Sequence, residues 1–134
     1  MKNKILLLSA TNYEHNHEEI HGIPIHIIGI GRVNAALNTY KLIQKYKPDH
    51  VVEFGSCGNL KDHKEISDSN IKLFSTDTFF EKGAQYSNHY SKMVDECNII
   101  EMEGYSIAKV CSSENISLSL YKWVSDDGSN TEWL

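Results

Sequence analysis

Near the C-terminus, two short apolar runs are separated by one segment of helix length, and this arrangement constrains the fold most. Residues 99–101 form the first run, residues 105–113 have a helical pattern, and residues 117–124 form the second run. A strand–helix–strand unit of this size joins parallel strands by a right-handed crossover. Glu103 and Asp126 lie just beyond the two runs, so we expect both at one edge of the sheet, where ligands bind in open α/β sheets.

The same alternation of apolar runs and helical patterns extends over the rest of the chain. It predicts strands at residues 4–9, 23–28, 50–54, 71–75, 99–101 and 117–124, and helices at 33–46 and 105–113. Residues 55–58 indicate a glycine-rich turn after the third of these strands. Strands that alternate with helices are typical of a mostly parallel sheet covered by helices. We therefore predict one α/β domain over residues 1–134, a three-layer sandwich with a mostly parallel central sheet.

The charge of the chain disfavours two classes of partner, and its cysteine content indicates the redox compartment. With 13 basic and 18 acidic side chains, the formal charge is −5, which disfavours nucleic acid and anionic membranes as partners. No apolar run is long enough for a membrane span. The three cysteines are odd in number and form no CxxC pair, which is typical of a reducing compartment. We expect a cytoplasmic protein.

Two glycine-rich segments follow predicted strands. Gly29-Ile-Gly-Arg-Val-Asn-Ala-Ala36 precedes a helix, so its backbone N–H groups can bind a ligand, or its glycines can simply turn the chain. In Gly55-Ser-Cys-Gly58, Ser56 can donate a hydrogen bond to a ligand oxygen or cap the following segment. From the sequence alone, both interpretations stay open.

The acidic residues near the two C-terminal runs also have two interpretations. Glu101 and Glu103 flank Met102. A carboxylate only accepts hydrogen bonds, so it suits a ribose diol, and methionine offers an apolar surface for the sugar. Alternatively, both glutamates stabilise the first turn of the next helix. Asp126 is either solvated and inert, or partly desolvated with the raised proton affinity of a general acid.

Four histidines lie close to acidic residues in the N-terminal part of the chain: His15, His17, His21 and His26. These residue types can bind zinc. However, their spacing matches neither HExxH nor a comparable ligand pattern. We therefore predict neither a metal site nor a cofactor.

Taken in order, these segments resemble the nucleoside phosphorylase/nucleosidase superfamily, and within it the 5′-methylthioadenosine/S-adenosylhomocysteine nucleosidases and the futalosine hydrolases. The segments that carry the resemblance are Leu6-Leu-Leu-Ser-Ala-Thr-Asn-Tyr-Glu14, Gly29-Ile-Gly-Arg-Val-Asn-Ala-Ala36, Val52-Glu-Phe-Gly-Ser-Cys-Gly-Asn-Leu60, Ser75-Thr-Asp-Thr-Phe-Phe80, Ile100-Glu-Met-Glu-Gly104 and Val124-Ser-Asp126. The resemblance covers most of the chain. It implies a phosphorylase/hydrolase-like fold that is trimmed in its middle section and at its C-terminal helix.

The resemblance also implies a mechanism. Members cleave the N-glycosidic bond of a purine nucleoside through an oxocarbenium-like transition state. Asp126 matches the aspartate that protonates nitrogen 7 of the purine, which is general acid catalysis. Glu103 matches the glutamate that holds the ribose hydroxyls, with Met102 against the sugar. Glu14 falls where the hydrolases keep the glutamate that positions and deprotonates water.

Other positions carry over as substrate-binding residues. Phe80 matches the position beside the base, Phe79 is placed to stack on it, and Ser56 matches a residue near the nucleophile. Asp127, adjacent to Asp126, leaves a one-residue ambiguity in the acid. In the dimeric nucleosidases a neighbouring subunit helps to enclose the substrate, so we expect a homo-oligomer.

The nucleophile is predicted from charge. The family's phosphorylases bind phosphate with arginines, one of them just before the glycine-rich turn, where this chain has Glu53. A carboxylate repels a phosphate dianion, and in a low-dielectric pocket the cost reaches several kcal/mol. Arg32 is the one nearby cation in these motifs and is expected to begin a helix. Water is therefore the expected nucleophile.

The resemblance implies hydrolysis of an adenosine-type nucleoside such as methylthioadenosine, S-adenosylhomocysteine or 5′-deoxyadenosine. Two alternatives are a phosphate-dependent purine nucleoside phosphorylase and a non-catalytic nucleoside-binding protein on the same fold. The presence of both acids, Glu103 and Asp126, favours an enzyme, since binding alone needs no proton donor.

Overall fold

A computed structural model of the chain describes residues 4–12, 17–60, 72–77 and 87–126. Its strands are β1 (Ile5–Ser9), β2 (Glu19–Ile20), β3 (Ile23–Ile27), β4 (His50–Asn59), β5 (Leu73–Ser75), β6 (Ile99–Glu101) and β7 (Ser117–Asp126), and its helices are α1 (Arg32–Tyr46), α2 (Asn88–Glu96) and α3 (Gly104–Ser113). All the predicted strands and helices are present, while the short β2 and helix α2 were not among them. In the described ranges, no helix has the length and apolar character that crossing a membrane requires.

The described strands form one seven-stranded sheet with the order β2-β3-β1-β4-β6-β5, and β7 pairs with β4. The pairings β1–β3, β1–β4, β4–β7 and β5–β6 are parallel, whereas β2–β3 and β4–β6 are antiparallel. The prediction of a mostly parallel central sheet is therefore confirmed. Strand β4 organises the sheet, because it pairs with β1 at its start, with β7 along its length and with β6 at its end.

The hydrophobic core lies where α1 and α3 cover one face of the sheet. Its buried members come from both helices, from β1 and β4, and from the segment after β3: Leu6, Leu8, Ile28, Ala35, Ile43, Val51, Ile107 and Cys111. On α1, the buried residues Ala35, Thr39 and Ile43 are spaced four apart, which places them on one side of the helix. The core holds the N-termini of α1 and α3 in fixed positions over the sheet.

Helix α2 covers the opposite face. On β5, Leu73 and Ser75 contact the first turn of α3. Because successive strand residues point to opposite faces, Phe74 points away from α3, and its ring packs edge-on against Tyr90 of α2 with centroids 4.9 Å apart. Helices on both faces make this a three-layer arrangement, as predicted.

Two local predictions about β4 and β6 are wrong. Residues 55–58 do not form a turn but continue β4 to Asn59, because β7 pairs with them along the strand. Strand β6 runs antiparallel to β4, whereas β7 runs parallel to it. The predicted parallel strand–helix–strand unit of β6, α3 and β7 therefore does not form, since periodicity within one segment carries no information about strand direction.

Candidate functional site

The end of β4 brings the acidic ends of β6 and β7 together. Gly58 pairs with Ile100 of β6 on one side and with Asp126 of β7 on the other. Glu101, next to Ile100, and the backbone of Asp126 therefore lie on opposite sides of the same stretch of β4. The two acidic strand ends meet, although β6 approaches from the antiparallel direction.

Glu101 caps the first turn of α3. Its Oε1 accepts hydrogen bonds from the backbone N–H groups of Glu103, at 3.1 Å, and Gly104, and its Oε2 accepts one from the Ser75 hydroxyl. A Cβ added at Gly104 would lie 2.9 Å from Glu101 Oε1, so a larger residue there would displace the capping carboxylate. The helix-capping interpretation of Glu101 is thus observed, while its contact with a substrate stays a prediction.

A buried lysine links two strands of the site. Lys122 Nζ lies 2.8 Å from Glu53 Oε1 and 3.1 Å from Glu101 Oε1. The three side chains are 6%, 0% and 1% exposed, respectively. Burial alone would lower the pKa of Lys122, but the two carboxylates outweigh burial and raise it, so the ammonium stays charged.

Sequence reasoning missed Lys122. The available signal was that this lysine is the one charged residue within residues 117–124. A charge in a buried strand needs a partner, but the pattern names neither Glu53 nor Glu101 as that partner. The register of β7 on β4, which places Lys122 opposite Gly55, decides it.

Glu103 lies at the N-cap of α3 and is 6% exposed. Its Oε2 accepts a hydrogen bond from the backbone N–H of Gly31 at 2.9 Å. Burial raises the pKa of Glu103 to about 7; the Gly31 N–H opposes this shift, while the neighbouring charge of Glu101 adds to it. Near neutral pH this carboxyl therefore exists in both protonation states.

The raised pKa of Glu103 predicts a pH-dependent stability difference between the wild type and Glu103→Gln. Between pH 4.5 and 7 the folded state keeps a proton that the unfolded state releases, so the wild type loses stability relative to the variant as pH rises. We expect the unfolding free energy of Glu103→Gln minus that of the wild type to increase by on the order of 2 kcal/mol between pH 5 and pH 8. Urea denaturation of both proteins at each pH measures it, and a pH-independent difference would contradict the raised pKa.

The turn between β3 and α1 supplies the partner of Glu103. Gly29 and Gly31 have φ values of 89° and 97°, a region that glycine adopts without strain. The next residue, Arg32, begins α1, as predicted. Its backbone N–H donates to Asp77 Oδ1 at 2.7 Å, and its guanidinium pairs with Asp77 Oδ2. The positive charge of Arg32 is therefore already matched by Asp77.

Gly31→Ala tests the importance of this turn. Alanine at a φ of 97° is strained, so we expect a loss of about 1–2 kcal/mol in unfolding free energy. Gly22→Ala is the matched control, because Gly22 also has a positive φ, 80°, but lies in the turn between β2 and β3. Both variants should lose stability in urea, whereas only Gly31→Ala should lower the nucleoside cleavage proposed below. Equal activity losses would show that the strain acts on the whole fold.

The other predicted site residues are only partly described. Met102 and Ser56 are both half-buried, and Ser56 lies within β4 rather than in a turn. Asp126 ends β7, and only its backbone is described. Glu14, Phe79, Phe80 and Asp127 lie outside the described residues. Within the described ranges, no group of three or more potential ligand side chains is placed to hold a metal.

Comparison with known sequences finds relatives over part of the chain. Residues 17–71 match the Phosphorylase superfamily. A 5′-methylthioadenosine/S-adenosylhomocysteine nucleosidase of Buchnera aphidicola is 28% identical over 153 aligned positions, covering 76% of this chain and 66% of that protein. The nucleosidase of the same name from Staphylococcus aureus is 48% identical over 40 residues, 30% of this chain and 18% of its own length. The chain therefore spans at most about two thirds of these curated relatives.

Comparison with solved structures finds the same fold over nearly the whole chain. A substituted nucleosidase of this kind from Helicobacter pylori, solved with 5′-methylthioadenosine in its active site, aligns with a TM-score of 0.75 over 96% of this chain and 87% of that chain, at 16% identity. The futalosine hydrolase of Helicobacter pylori aligns with a TM-score of 0.71 over 95% and 86%, also at 16% identity. The predicted resemblance and the predicted phosphorylase/hydrolase-like fold are confirmed.

Proposed function

Because this chain resembles the nucleoside phosphorylase/nucleosidase superfamily in sequence and in fold, we propose that it hydrolyses the N-glycosidic bond of an adenosine-type nucleoside. The candidate substrates are methylthioadenosine, S-adenosylhomocysteine and 5′-deoxyadenosine. The sequence relatives are named for the first two compounds, which supports a nucleoside with a substituted 5′ carbon.

The observation that carries the proposal is the position of Glu103. This buried carboxylate lies at the junction of α1 and α3, and one of its oxygens accepts from the Gly31 N–H. A carboxylate offers about four acceptor positions, so a further pair of donors can bind it. The ribose 2′- and 3′-hydroxyls are such a pair. A hydrogen bond to a charged acceptor in a buried site is also stronger than one in water.

Asp126 and Glu14 are the proposed catalytic residues. Asp126 would donate a proton to the purine so that the base leaves as a neutral molecule, and Glu14 would position and deprotonate the attacking water. Support for Asp126 comes from its backbone position, across β4 from the strand that leads to Glu103. Met102, Ser56, Phe79 and Phe80 are proposed as further substrate contacts, and so is Glu101.

The charges of the site favour water over phosphate as the nucleophile. Glu53, Glu101 and Glu103 are buried around one ammonium, that of Lys122. Lys122 is already paired with two carboxylates, and the cluster carries more negative than positive charge in either protonation state of Glu103. A phosphate dianion close to this cluster would be repelled at a cost of several kcal/mol.

We further propose that the protein acts as a cytoplasmic homo-oligomer on a small-molecule nucleoside. Helix α1 supports self-association, because Val33, Leu37 and Tyr40 lie on its outer side and are all exposed. Their spacing of three and four residues places them on one helix face. Analytical ultracentrifugation tests the oligomeric state.

The function is tested by incubating the protein with each of the three nucleosides in phosphate-free buffer. We expect free adenine and the 5′-substituted ribose as products, detected by chromatography. A rate that rises with added phosphate, with a ribose 1-phosphate as product, would instead show a phosphorylase. Tight binding in calorimetry with an unchanged nucleoside afterwards would show a binding protein.

A further inference from the structure

The carboxylates of Glu103 and Asp77 accept hydrogen bonds from two consecutive backbone amides at the N-terminus of α1. The backbone N–H of Gly31 donates to Glu103 Oε2 at 2.9 Å, and that of Arg32 donates to Asp77 Oδ1 at 2.7 Å. Both bonds satisfy amides that a helix N-terminus leaves without an internal partner, and both place negative charge at the positive end of the helix. The position of one amide therefore depends on how the other is held.

Asp77 holds Arg32 at three points. Besides the backbone bond, its Oδ2 lies 3.1 Å from Arg32 Nε and 3.0 Å from Arg32 Nη2. Such a paired contact fixes the direction of the guanidinium as well as its distance. The Asp77 Oδ1 atom also lies 3.4 Å from the position that a Cβ on Gly31 would occupy, so it is adjacent to both residues of the turn.

The same framework carries Asp77 and Glu103. Strand β5, which leads to Asp77, pairs with β6, which leads to Glu103, with Ser75 opposite Glu101. The Thr76 N–H extends this pairing by donating to the Glu101 carbonyl at 2.9 Å. Asp77 and Glu103 are therefore held at a set separation, and the α1 N-terminus binds to both.

We propose that Asp77 is a positioning residue, which holds the turn at Gly31 and Arg32 so that the Gly31 N–H stays directed at Glu103. The proposal rests on the function proposed above for Glu103 as the ribose-binding carboxylate. Loss of Asp77 frees the start of α1, the Gly31 N–H moves, and Glu103 loses the hydrogen bond that orients its carboxylate. A misplacement of about 1 Å at a catalytic site can lower activity by up to about a hundredfold.

A double-mutant cycle tests the link between Asp77 and Glu103 in catalysis. Introduced alone, Asp77→Ala should lower kcat/KM by about tenfold or more. Introduced into Glu103→Gln, it should lower kcat/KM by less than about threefold, because the effects of substitutions at interacting residues are not additive. Asp77→Asn keeps an acceptor for the Arg32 N–H and should recover part of the loss. Asp95→Ala, an exposed aspartate on α2, is the matched control and should change nothing. Equal losses from Asp77→Ala in both backgrounds would overturn the proposal.

Amide hydrogen exchange tests the same link without any turnover. Asp77→Ala should raise the exchange rate of the Gly31 amide at least about tenfold, while the Val51 amide in β4 stays unchanged. Unchanged Gly31 exchange in Asp77→Ala and in Asp77→Asn would overturn the positioning role. A wild-type protein that cleaves none of the nucleosides would overturn the proposed function but leave this measurement decisive.

Discussion

Replacing Lys122 with methionine should lower the unfolding free energy by about 3–5 kcal/mol. The change leaves Glu53 and Glu101 buried on neighbouring strands without the ammonium that lies 2.8 and 3.1 Å from them. An uncompensated charge in a protein interior is costly because the low dielectric neither solvates nor screens it. For a domain whose total stability is about 5–15 kcal/mol, this loss is a large fraction.

Urea denaturation at neutral pH measures the effect of Lys122→Met. Lys92→Met is the matched control, because Lys92 is exposed and lies 3.9 Å from Glu96 in a surface pair. We expect the control to change stability by less than about 1 kcal/mol. Adding Glu53→Gln to Lys122→Met should restore part of the lost stability, since one of the stranded charges is then removed. A Lys122→Met protein as stable as the wild type would contradict the buried ion-pair network.

Asp126→Asn should lower kcat for nucleoside hydrolysis by about 10²–10⁴-fold. Asparagine keeps the size of the side chain, but its amide is too weak an acid to transfer a proton to the leaving base. Because this substitution leaves the proposed ribose contact of Glu103 unchanged, nucleoside binding in calorimetry should change far less than the rate. A rate loss without a binding loss indicates an interaction that acts mainly in the transition state.

Asp127→Asn is the matched control for this substitution, since it removes a carboxylate one residue away. We expect it to keep most of the activity. If Asp127→Asn is the inactive variant, the acid is Asp127 and the assignment shifts by one position. If both variants keep wild-type rates on a nucleoside that the protein cleaves, neither aspartate is the proton donor, and the proposed mechanism is wrong.

Most elements of the fold could be predicted because they leave a periodic pattern in their own segments, whereas β2 and α2 were not predicted. Strands β1, β3, β6 and β7 and helices α1 and α3 were all predicted close to their observed bounds. The sequence patterns gave wrong predictions where pairing with a neighbouring strand outweighed the preference of the local residues. The glycines of residues 55–58 indicated a turn, but hydrogen bonding to β7 continues β4 through them. Likewise, nothing within residues 99–101 shows that β6 runs antiparallel to β4.

Part of the candidate site could also be predicted from the sequence. Glu101 and Glu103 were chosen for their acceptor chemistry and Met102 for its apolar surface, all three because they lie at the end of a predicted strand. Lys122 and Asp77 were not, because their importance lies in what they contact. Lys122 meets Glu53 across 69 positions of the chain, and Asp77 meets Arg32 across 45. The identity of a charged residue does not show which distant residue it contacts.

The sequence by itself determined an α/β fold, a resemblance to the nucleoside phosphorylase/nucleosidase superfamily, and acidic residues at the ends of two of the last strands. Apolar periodicity and residue chemistry are local properties, so they can be read segment by segment. Only the tertiary structure decided which carboxylate caps α3, which one accepts the hydrogen bond from the Gly31 N–H, and which two form ion pairs with Lys122. Those contacts follow from strand order, register and helix docking, which depend on the packing of the whole chain rather than on any one segment.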